Sequence, residues 1–231
     1  MKPRSETSFL FTSLGKKYLM GLTGAYFAFF LVIHLAGNLT MLDTTGKMFN
    51  LYAHTMASNP LIQYAISPLG FLLILTHIVD GVLLTMGNKQ ARPVGYAVSG
   101  ASANSSAPAR MMAPAGMVIF VFLVLHLSGF WYRYKFGADS LPMTVVNGTV
   151  MVNKYVAARE AFSQLWIVGL YVVAMAAIAS HTRHGFYSMF QSLGLNHPKY
   201  TPIIKKAAIG YSILIPALFA LIPVYMYLKA A

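Results

Sequence analysis

Five long apolar stretches dominate the sequence and restrict what it can fold into. They cover residues 18–39, 61–86, 112–134, 162–181 and 204–227. A helix needs about 20 residues to cross the hydrocarbon core of a bilayer, so each stretch is long enough to span it once. Only 10% of the residues are charged, far fewer than in a typical soluble domain. The sequence therefore predicts one all-α integral membrane domain, residues 1–231, built as a bundle of five transmembrane helices.

Basic residues are distributed unevenly between the connecting segments. The segments before helix one, between helices two and three, and between helices four and five contain Lys2, Arg4, Lys16, Lys17, Lys89, Arg92, Arg110, Arg183, Lys199, Lys205 and Lys206. The opposite side has Lys47, Arg133, Lys135, Lys154, Arg159 and Lys229, diluted by Asp43, Asp139 and Glu160. By the positive-inside rule, we expect the N-terminus in the cytoplasm and the C-terminus outside. Since these charges flank apolar stretches, we expect no nucleic-acid partner despite the net charge of +12.

The sequence contains no cysteine. This excludes disulfides, thiolate metal sites, iron–sulfur ligation and covalent attachment of a c-type haem. A metal or haem bound by this chain must be held by histidine, methionine or carboxylate side chains.

Four histidines lie inside predicted membrane helices, one in each of the first four: His34, His77, His126 and His181. A polar group without a partner in hydrocarbon costs several kcal/mol, so each imidazole needs a partner. For one histidine alone, a hydrogen bond to a nearby hydroxyl or carbonyl is the simpler explanation. Four histidines in four helices favour a shared role as metal ligands.

The depths of these histidines sort them into two pairs. With a rise of 1.5 Å per residue, His34 and His126 lie about 25 and 21 Å above the inner ends of their helices, in the outer half. His77 and His181 lie about 24 and 28 Å below the outer ends, in the inner half. Two axial ligands of one haem must stand at the same height on facing helices. The arithmetic predicts an outer haem between helices one and three and an inner haem between helices two and four.

A glycine pattern accompanies the histidines. Gly37 and Gly129 follow the outer pair by three residues, and Gly81 and Gly185 follow the inner pair by four. Residues at these spacings share a helix face, so the missing side chains are expected to make room for a flat macrocycle. Glycine is also ordinary in membrane helix packing, so this pattern is supporting information only.

Cations near either surface are candidates for binding haem propionates. Arg133 is the outer candidate, and Lys16, Lys17 and Arg183 are the inner ones, although each is equally suited to anchoring lipid headgroups. Asp80 has three open roles: accepting a hydrogen bond from a ligand, taking up protons, or pairing with a lysine. His184 competes with His181 as a ligand, but its position favours a surface or propionate role.

The connecting segments also carry local signals. Asn147-Gly148 lies between β-branched runs within residues 144–151, which predicts a hairpin with a type I′ turn or, equally, an irregular loop. Residues 97–109, rich in Ser, Ala and Gly, predict a flexible cytoplasmic loop. Pro216 and Pro223 predict a kink in the last helix.

Several motifs carry a family likeness that extends over nearly the whole chain. They are Ser13-Leu14-Gly15-Lys16-Lys17, His34-Leu35-Ala36-Gly37-Asn38, His77 with Gly81, residues 88–93, His126, His181 with Gly185, and residues 188–194. With these motifs the chain resembles the cytochrome b membrane-anchor subunit of succinate dehydrogenases and fumarate reductases, in the single-subunit form with five helices and two haems b.

The resemblance implies that His34 and His126 ligate the outer haem and that His77 and His181 ligate the inner one. It selects His181 over His184 because the fourth-helix ligand is followed by glycine four positions later. It also implies a flavoprotein with FAD and an iron–sulfur protein as partners on the cytoplasmic face of a bacterial inner membrane. Electrons from succinate would then reach a membrane quinone, commonly menaquinone, through this non-flavin subunit.

Two points of the resemblance stay open. Some fumarate reductases carry a glutamate two residues before the fourth-helix ligand, implicated in proton transfer, whereas this chain has Ala179. If the quinone binds beside the outer haem, the candidates are Asn50, Tyr52 and His54, but a plain amphipathic helix is the simpler explanation of that segment.

Two other functions are compatible with the sequence. One is a dihaem cytochrome b of another respiratory complex, such as a hydrogenase or a formate dehydrogenase. The other is a haem-free transporter or proton channel that uses the histidines and Asp80 as a relay. Against the channel, no broken helices occur in paired positions and no inverted repeat is visible.

Overall fold

The computed structural model describes residues 9, 12–91, 94 and 100–230. Within them, five helices are long and apolar enough to cross a membrane: Ser13–Leu42, Ile62–Gln90, Met112–Phe136, Leu165–Ser192 and Thr201–Lys229. We refer to them as spans 1 to 5. The predicted helical membrane bundle of five spans is confirmed, and the chain is a multi-pass membrane protein.

The spans are built from helices joined by short segments. The helices are α1 Ser13–Leu39, α2 Lys47–Ser58, α3 Ser67–Gln90, α4 Ala101–Asn104, α5 Ala107–Arg110, α6 Met112–His126, α7 Arg133–Phe136, α8 Lys154–Phe162, α9 Leu165–Ser192 and α10 Thr201–Ala230. A 3₁₀ turn, Thr40–Leu42, extends α1. One π-helical segment, Ile62–Ile66, leads into α3, and another, Leu127–Tyr132, joins α6 to α7.

The first four spans are arranged as a ring. α1 packs against α3 and α9, α9 packs against α6, and α3 touches α6 only lightly. The helices on each diagonal, α1 with α6 and α3 with α9, have no close backbone packing. Span 5 lies outside the ring, where α10 packs against α9 and α1. Each histidine-bearing helix therefore faces another one across the ring.

Short elements cover one end of the bundle, which we call the hairpin end. Strands β1 Met143–Val146 and β2 Thr149–Val152 pair antiparallel. Asn147 and Gly148 have φ values of 51° and 78°, both left-handed as a type I′ turn requires, so the predicted hairpin is confirmed. α2 packs against the hairpin and α8. We call the opposite end, where α1 begins and α3 and α9 end, the basic end.

The fourth span extends further than the hydropathy pattern predicts. It starts at Leu165 instead of residue 162 and continues to Ser192 instead of ending at His181. Residues after His181 are too polar to look membrane-embedded, yet the helical hydrogen bonds continue. The helix stops where Gly194 adopts a φ of 74° and Leu195 N–H donates to Phe190 O at 2.8 Å, a Schellman cap. His181 and His184 both lie well inside the helix.

Other predictions from the sequence can be compared with the structure only in part. Lys2, Arg4 and Arg92, three of the basic residues behind the orientation prediction, lie outside the described residues. Of the predicted flexible loop, residues 97–99 also lie outside them, and the remainder contains the short helices α4 and α5. Pro216 and Pro223 lie within α10, which continues unbroken past both.

Candidate functional site

The structure brings the four membrane histidines together in the two pairs that the depth arithmetic predicts. His34 of α1 lies beside His126 of α6, with ring centroids 6.0 Å apart and ring planes at 89°. His77 of α3 lies beside His181 of α9, with centroids 6.2 Å apart and planes at 67°. We call the first the hairpin-side pair and the second the basic-side pair. Each pair spans one diagonal of the ring.

The centroid separations indicate what would fit between the rings. A direct N–H···N hydrogen bond of about 2.9 Å would bring the two centroids to roughly 5 Å. One metal ion held by both rings, at about 2.0–2.1 Å from each nitrogen, would place them roughly 6 Å apart. The observed 6.0 and 6.2 Å are longer than the first arrangement allows and agree with the second, and they also lie in the range of an edge-to-face contact between two rings. Steep angles between the ring planes also exclude face-to-face stacking.

The two pairs lie at different levels of the bundle. Thr23 contacts the basic-side pair and His34 belongs to the hairpin-side pair; along α1 they are separated by a rise of about 16 Å. Tyr171 contacts the hairpin-side pair and His181 belongs to the basic-side pair; along α9 their rise is about 15 Å. Two helices thus give the same spacing between levels.

One imidazole of each pair is held through its Nδ1 atom. His77 Nδ1 lies 2.8 Å from Thr23 Oγ1, and His126 Nδ1 lies 3.0 Å from the Tyr171 hydroxyl. Their Nε2 atoms form no hydrogen bond in the described residues and can bind a ligand. Nδ1 of His181 is buried and has no hydrogen-bond partner in the described part of the chain. Sequence reasoning missed Thr23 and Tyr171, because hydroxyl side chains are common in membrane helices and nothing marks these two.

Aromatic rings surround the hairpin-side pair. Phe30 stacks on His34 at 5.1 Å and 16°, and Phe122 stacks on His126 at 5.5 Å and 28°. Phe219 of α10 lies 5.7 Å from His34, and Phe130 lies 5.5 Å from His126. These apolar walls exclude water and offer flat surfaces to a flat ligand.

The glycines beside the histidines differ in what they face. A Cβ at Gly37 would come within 2.3 Å of the Tyr52 ring, so the expectation that Gly37 makes room for a macrocycle is wrong; it makes room for Tyr52. A Cβ at Gly129 or Gly185 would meet nothing within 4 Å, and one at Gly81 would meet only the Met20 methyl at 3.6 Å. Three of the four glycines therefore have room for a side chain, and Gly129 is exposed at the surface.

The ring that faces His77 belongs to His181. His184, three residues later on α9, is half-buried and makes no aromatic contact in the described residues. Its sequence assignment to a role other than axial ligand agrees with this placement.

The candidate propionate partners are placed at both ends. Arg133 donates to Glu160 at 2.9 Å on the hairpin end, which uses part of its guanidinium. Lys154, which sequence reasoning did not single out, is also half-buried at this end, and burial lowers the pKa of its ammonium. Lys16, Lys17 and Arg183 at the basic end form no ion pair in the described residues.

Asp80 is an acid buried at the basic-side level. It is 5% exposed, and its Oδ2 atom has no hydrogen-bond partner among the described residues. It lies three residues after His77 on α3. Lys16 is close enough for a Coulombic interaction with Asp80 but forms no ion pair with it. The structure thus gives no lysine pair for Asp80.

The three quinone candidates on α2 have different surroundings. Asn50 is buried; its Nδ2 donates to Asn153 Oδ1 at 2.8 Å, and its Oδ1 accepts from Tyr155 N–H at 3.0 Å. Both atoms thereby fix α2 to the segment after the hairpin. His54 is half-buried without a side-chain hydrogen bond in the described residues. Tyr52 packs on Gly37, one turn from His34, and burial raises the pKa of its phenol.

Comparisons with protein-family models, curated proteins and solved structures give no match to this chain. The likeness to cytochrome b anchors therefore remains a prediction from its motifs. The fold defines a coarser class, a multi-pass membrane protein with five spans, whose ring of four helices holds two pairs of facing histidines.

Proposed function

We propose that the chain is a dihaem cytochrome b, the membrane anchor of a succinate:quinone oxidoreductase. The observation that carries the proposal is the pairing of four membrane histidines at two levels, with ring centroids 6.0 and 6.2 Å apart. Helices in direct packing lie 8–10 Å apart, and neither diagonal of the ring is packed in this way. The histidine spacing and the absence of close packing across the diagonals together support bis-histidine haem.

The residues that would hold two haems b follow from the pairs. His34 and His126 would hold the haem at the hairpin-side level, and His77 and His181 would hold the one at the basic-side level. Haem bound there would supply one-electron iron chemistry, tuned by ligation, hydrogen bonds and burial. Open positions at Gly129 and Gly185 leave space near each level.

The partners follow from the ends of the bundle. Exposed cations at the basic end, including Lys17 and Arg183, suit docking of an iron–sulfur protein with its FAD-containing flavoprotein. The positive-inside rule places this end in the cytoplasm of a bacterial inner membrane, with the C-terminus outside. Tyr52 on the hairpin end, beside α1 near His34, suits binding of a membrane quinone, menaquinone being the expected type.

The proposal is tested on protein purified from haem-replete cells. We expect a b-type reduced-minus-oxidised spectrum, two haems per chain and a co-purifying flavin. Adding succinate should reduce the haems, as followed by their absorbance. A colourless preparation would contradict the whole proposal. Two haems without a flavin subunit would limit it to a cytochrome b of another respiratory complex.

The buried Asp80 is the one observation that favours a second function, a haem-free proton channel. A proton relay needs contiguous hydrogen-bonding groups, whereas the two histidine levels lie about 15 Å apart. The rings within each pair are also too far apart for a direct hydrogen bond. Proton flux through liposomes containing the colourless chain would support this function against the first.

A further inference from the structure

Two hydroxyl groups contact the histidine pairs from the tightly packed side of the ring. Thr23 lies on α1 and Tyr171 on α9, and these two helices pack directly against each other. The imidazoles they contact, His77 and His126, lie on α3 and α6, which touch only lightly. Each of α1 and α9 thus gives a histidine to one level and a hydroxyl to the other.

Thr23 Oγ1 has a partner on each side. Leu19 O, 2.8 Å away, can only accept the single hydroxyl hydrogen, and His77 Nδ1 also lies 2.8 Å away. With that hydrogen directed to Leu19 O, the hydroxyl oxygen accepts a hydrogen bond from His77 Nδ1. The neutral imidazole then carries its proton on Nδ1 and keeps the Nε2 lone pair free to bind a metal.

Tyr171 stands in the same relation to His126. Its hydroxyl lies 3.0 Å from His126 Nδ1 and has no other partner in the described residues. Phe122 and Phe162 pack edge-on against the Tyr171 ring, with centroids 4.9 and 5.0 Å away, which fixes the position of the hydroxyl. When Nε2 of His126 binds a metal, Nδ1 carries the proton and donates a hydrogen bond to the tyrosine oxygen.

We propose that Thr23 and Tyr171 are positioning residues, which set the tautomer and orientation of His77 and His126 and thereby tune the two haem sites separately. The inference rests on the proposed function. Partners of this kind make the ligating imidazole more basic, and their loss commonly weakens metal binding 10–100-fold. A more basic ligand stabilises ferric iron, so losing the hydroxyl raises the midpoint potential of its own haem.

The test uses the purified holoprotein with Thr23→Val, which keeps the side-chain shape, Thr23→Ser, which restores a hydroxyl, and Tyr171→Phe. Redox titration and haem content are measured for each level. We expect Thr23→Val to raise the potential, or reduce the retention, of the basic-side haem only, and Tyr171→Phe to do so for the hairpin-side haem only. Thr23→Ser should restore wild-type values.

Wild-type potentials and haem contents in both hydroxyl-free variants would overturn the inference, and so would equal effects on both haems. A wild-type protein without haem would instead contradict the proposed function. In that case, ¹⁵N chemical shifts of the histidines still test the role of Thr23: His77 should be the Nδ1–H tautomer in the wild type and lose that preference in Thr23→Val. An unchanged tautomer would overturn the inference.

Discussion

Each membrane imidazole faces a second ring across the bundle, at a distance too long for a direct hydrogen bond. The separations of 6.0 and 6.2 Å suit a shared ligand better than a shared proton. The pairing itself was predictable, since depth along a helix follows from residue number alone. The hydroxyl partners were not, because a contact such as Thr23 to His77 depends on the rotation of α1 relative to α3.

Single replacements should separate the two levels. We expect His34→Ala and His126→Ala each to remove the same haem component and to leave the other, because one axial ligand of the hairpin-side pair is lost. His77→Ala and His181→Ala should remove the second component. Redox difference spectra with potentiometric titration distinguish the components.

His54→Ala is the matched control for these variants, since His54 lies on α2 outside both pairs and should keep both components. Loss of the same component in His34→Ala and His77→Ala would show that the pairing is wrong.

At the scale of helices, hydropathy predicted where the spans lie. It did not predict how far a helix continues into polar sequence. Residues 182–192 remain helical, and the signal for the true end of α9 was Gly194, which adopts the left-handed conformation of a C-cap. The π-helical segment after His126 had no recognisable signal in the sequence. It changes the register of the following residues, and such segments are frequent at functional sites.

Asn50 holds together the short elements that cover the hairpin end. Replacing it with alanine removes the acceptor for the Tyr155 N–H and the donor to Asn153, leaving a buried backbone donor without a partner. We expect Asn50→Ala to lower the free energy of unfolding by about 1–3 kcal/mol. The effect is measured by thermal unfolding in detergent, with limited proteolysis of α2 as the readout.

His54→Ala, four residues along the same helix, should change stability by less than about 0.5 kcal/mol. Equal stability of the Asn50→Ala variant and the wild type would contradict the structural role assigned to Asn50.

The bundle consists of a ring of four spans, loosely packed between α3 and α6, with span 5 packed against α9 and α1. Phe71, Leu75, Phe120 and Leu123 are among the residues that line an apolar groove between α3 and α6, about 390 Å³ in volume. The tight contacts, by contrast, join α1, α9 and α10. The side of the ring between α3 and α6 is therefore packed less closely than the side between α1 and α9.

The orientation of the bundle can be tested cleanly because the chain has no cysteine. Thr149 and Lys199 are both exposed, the first on β2 at the hairpin end and the second between α9 and α10 at the basic end. On intact cells, a membrane-impermeant maleimide should label Thr149→Cys but not Lys199→Cys. Labelling of Lys199→Cys but not of Thr149→Cys would contradict the prediction and indicate the opposite orientation.

Electron paramagnetic resonance of the oxidised purified protein, combined with its haem content, tests whether iron is held between two histidines at each level. We expect two haems per chain, both giving low-spin ferric signals, because two imidazoles would ligate each iron. One haem per chain, or a high-spin signal showing a missing axial ligand at either level, would contradict it.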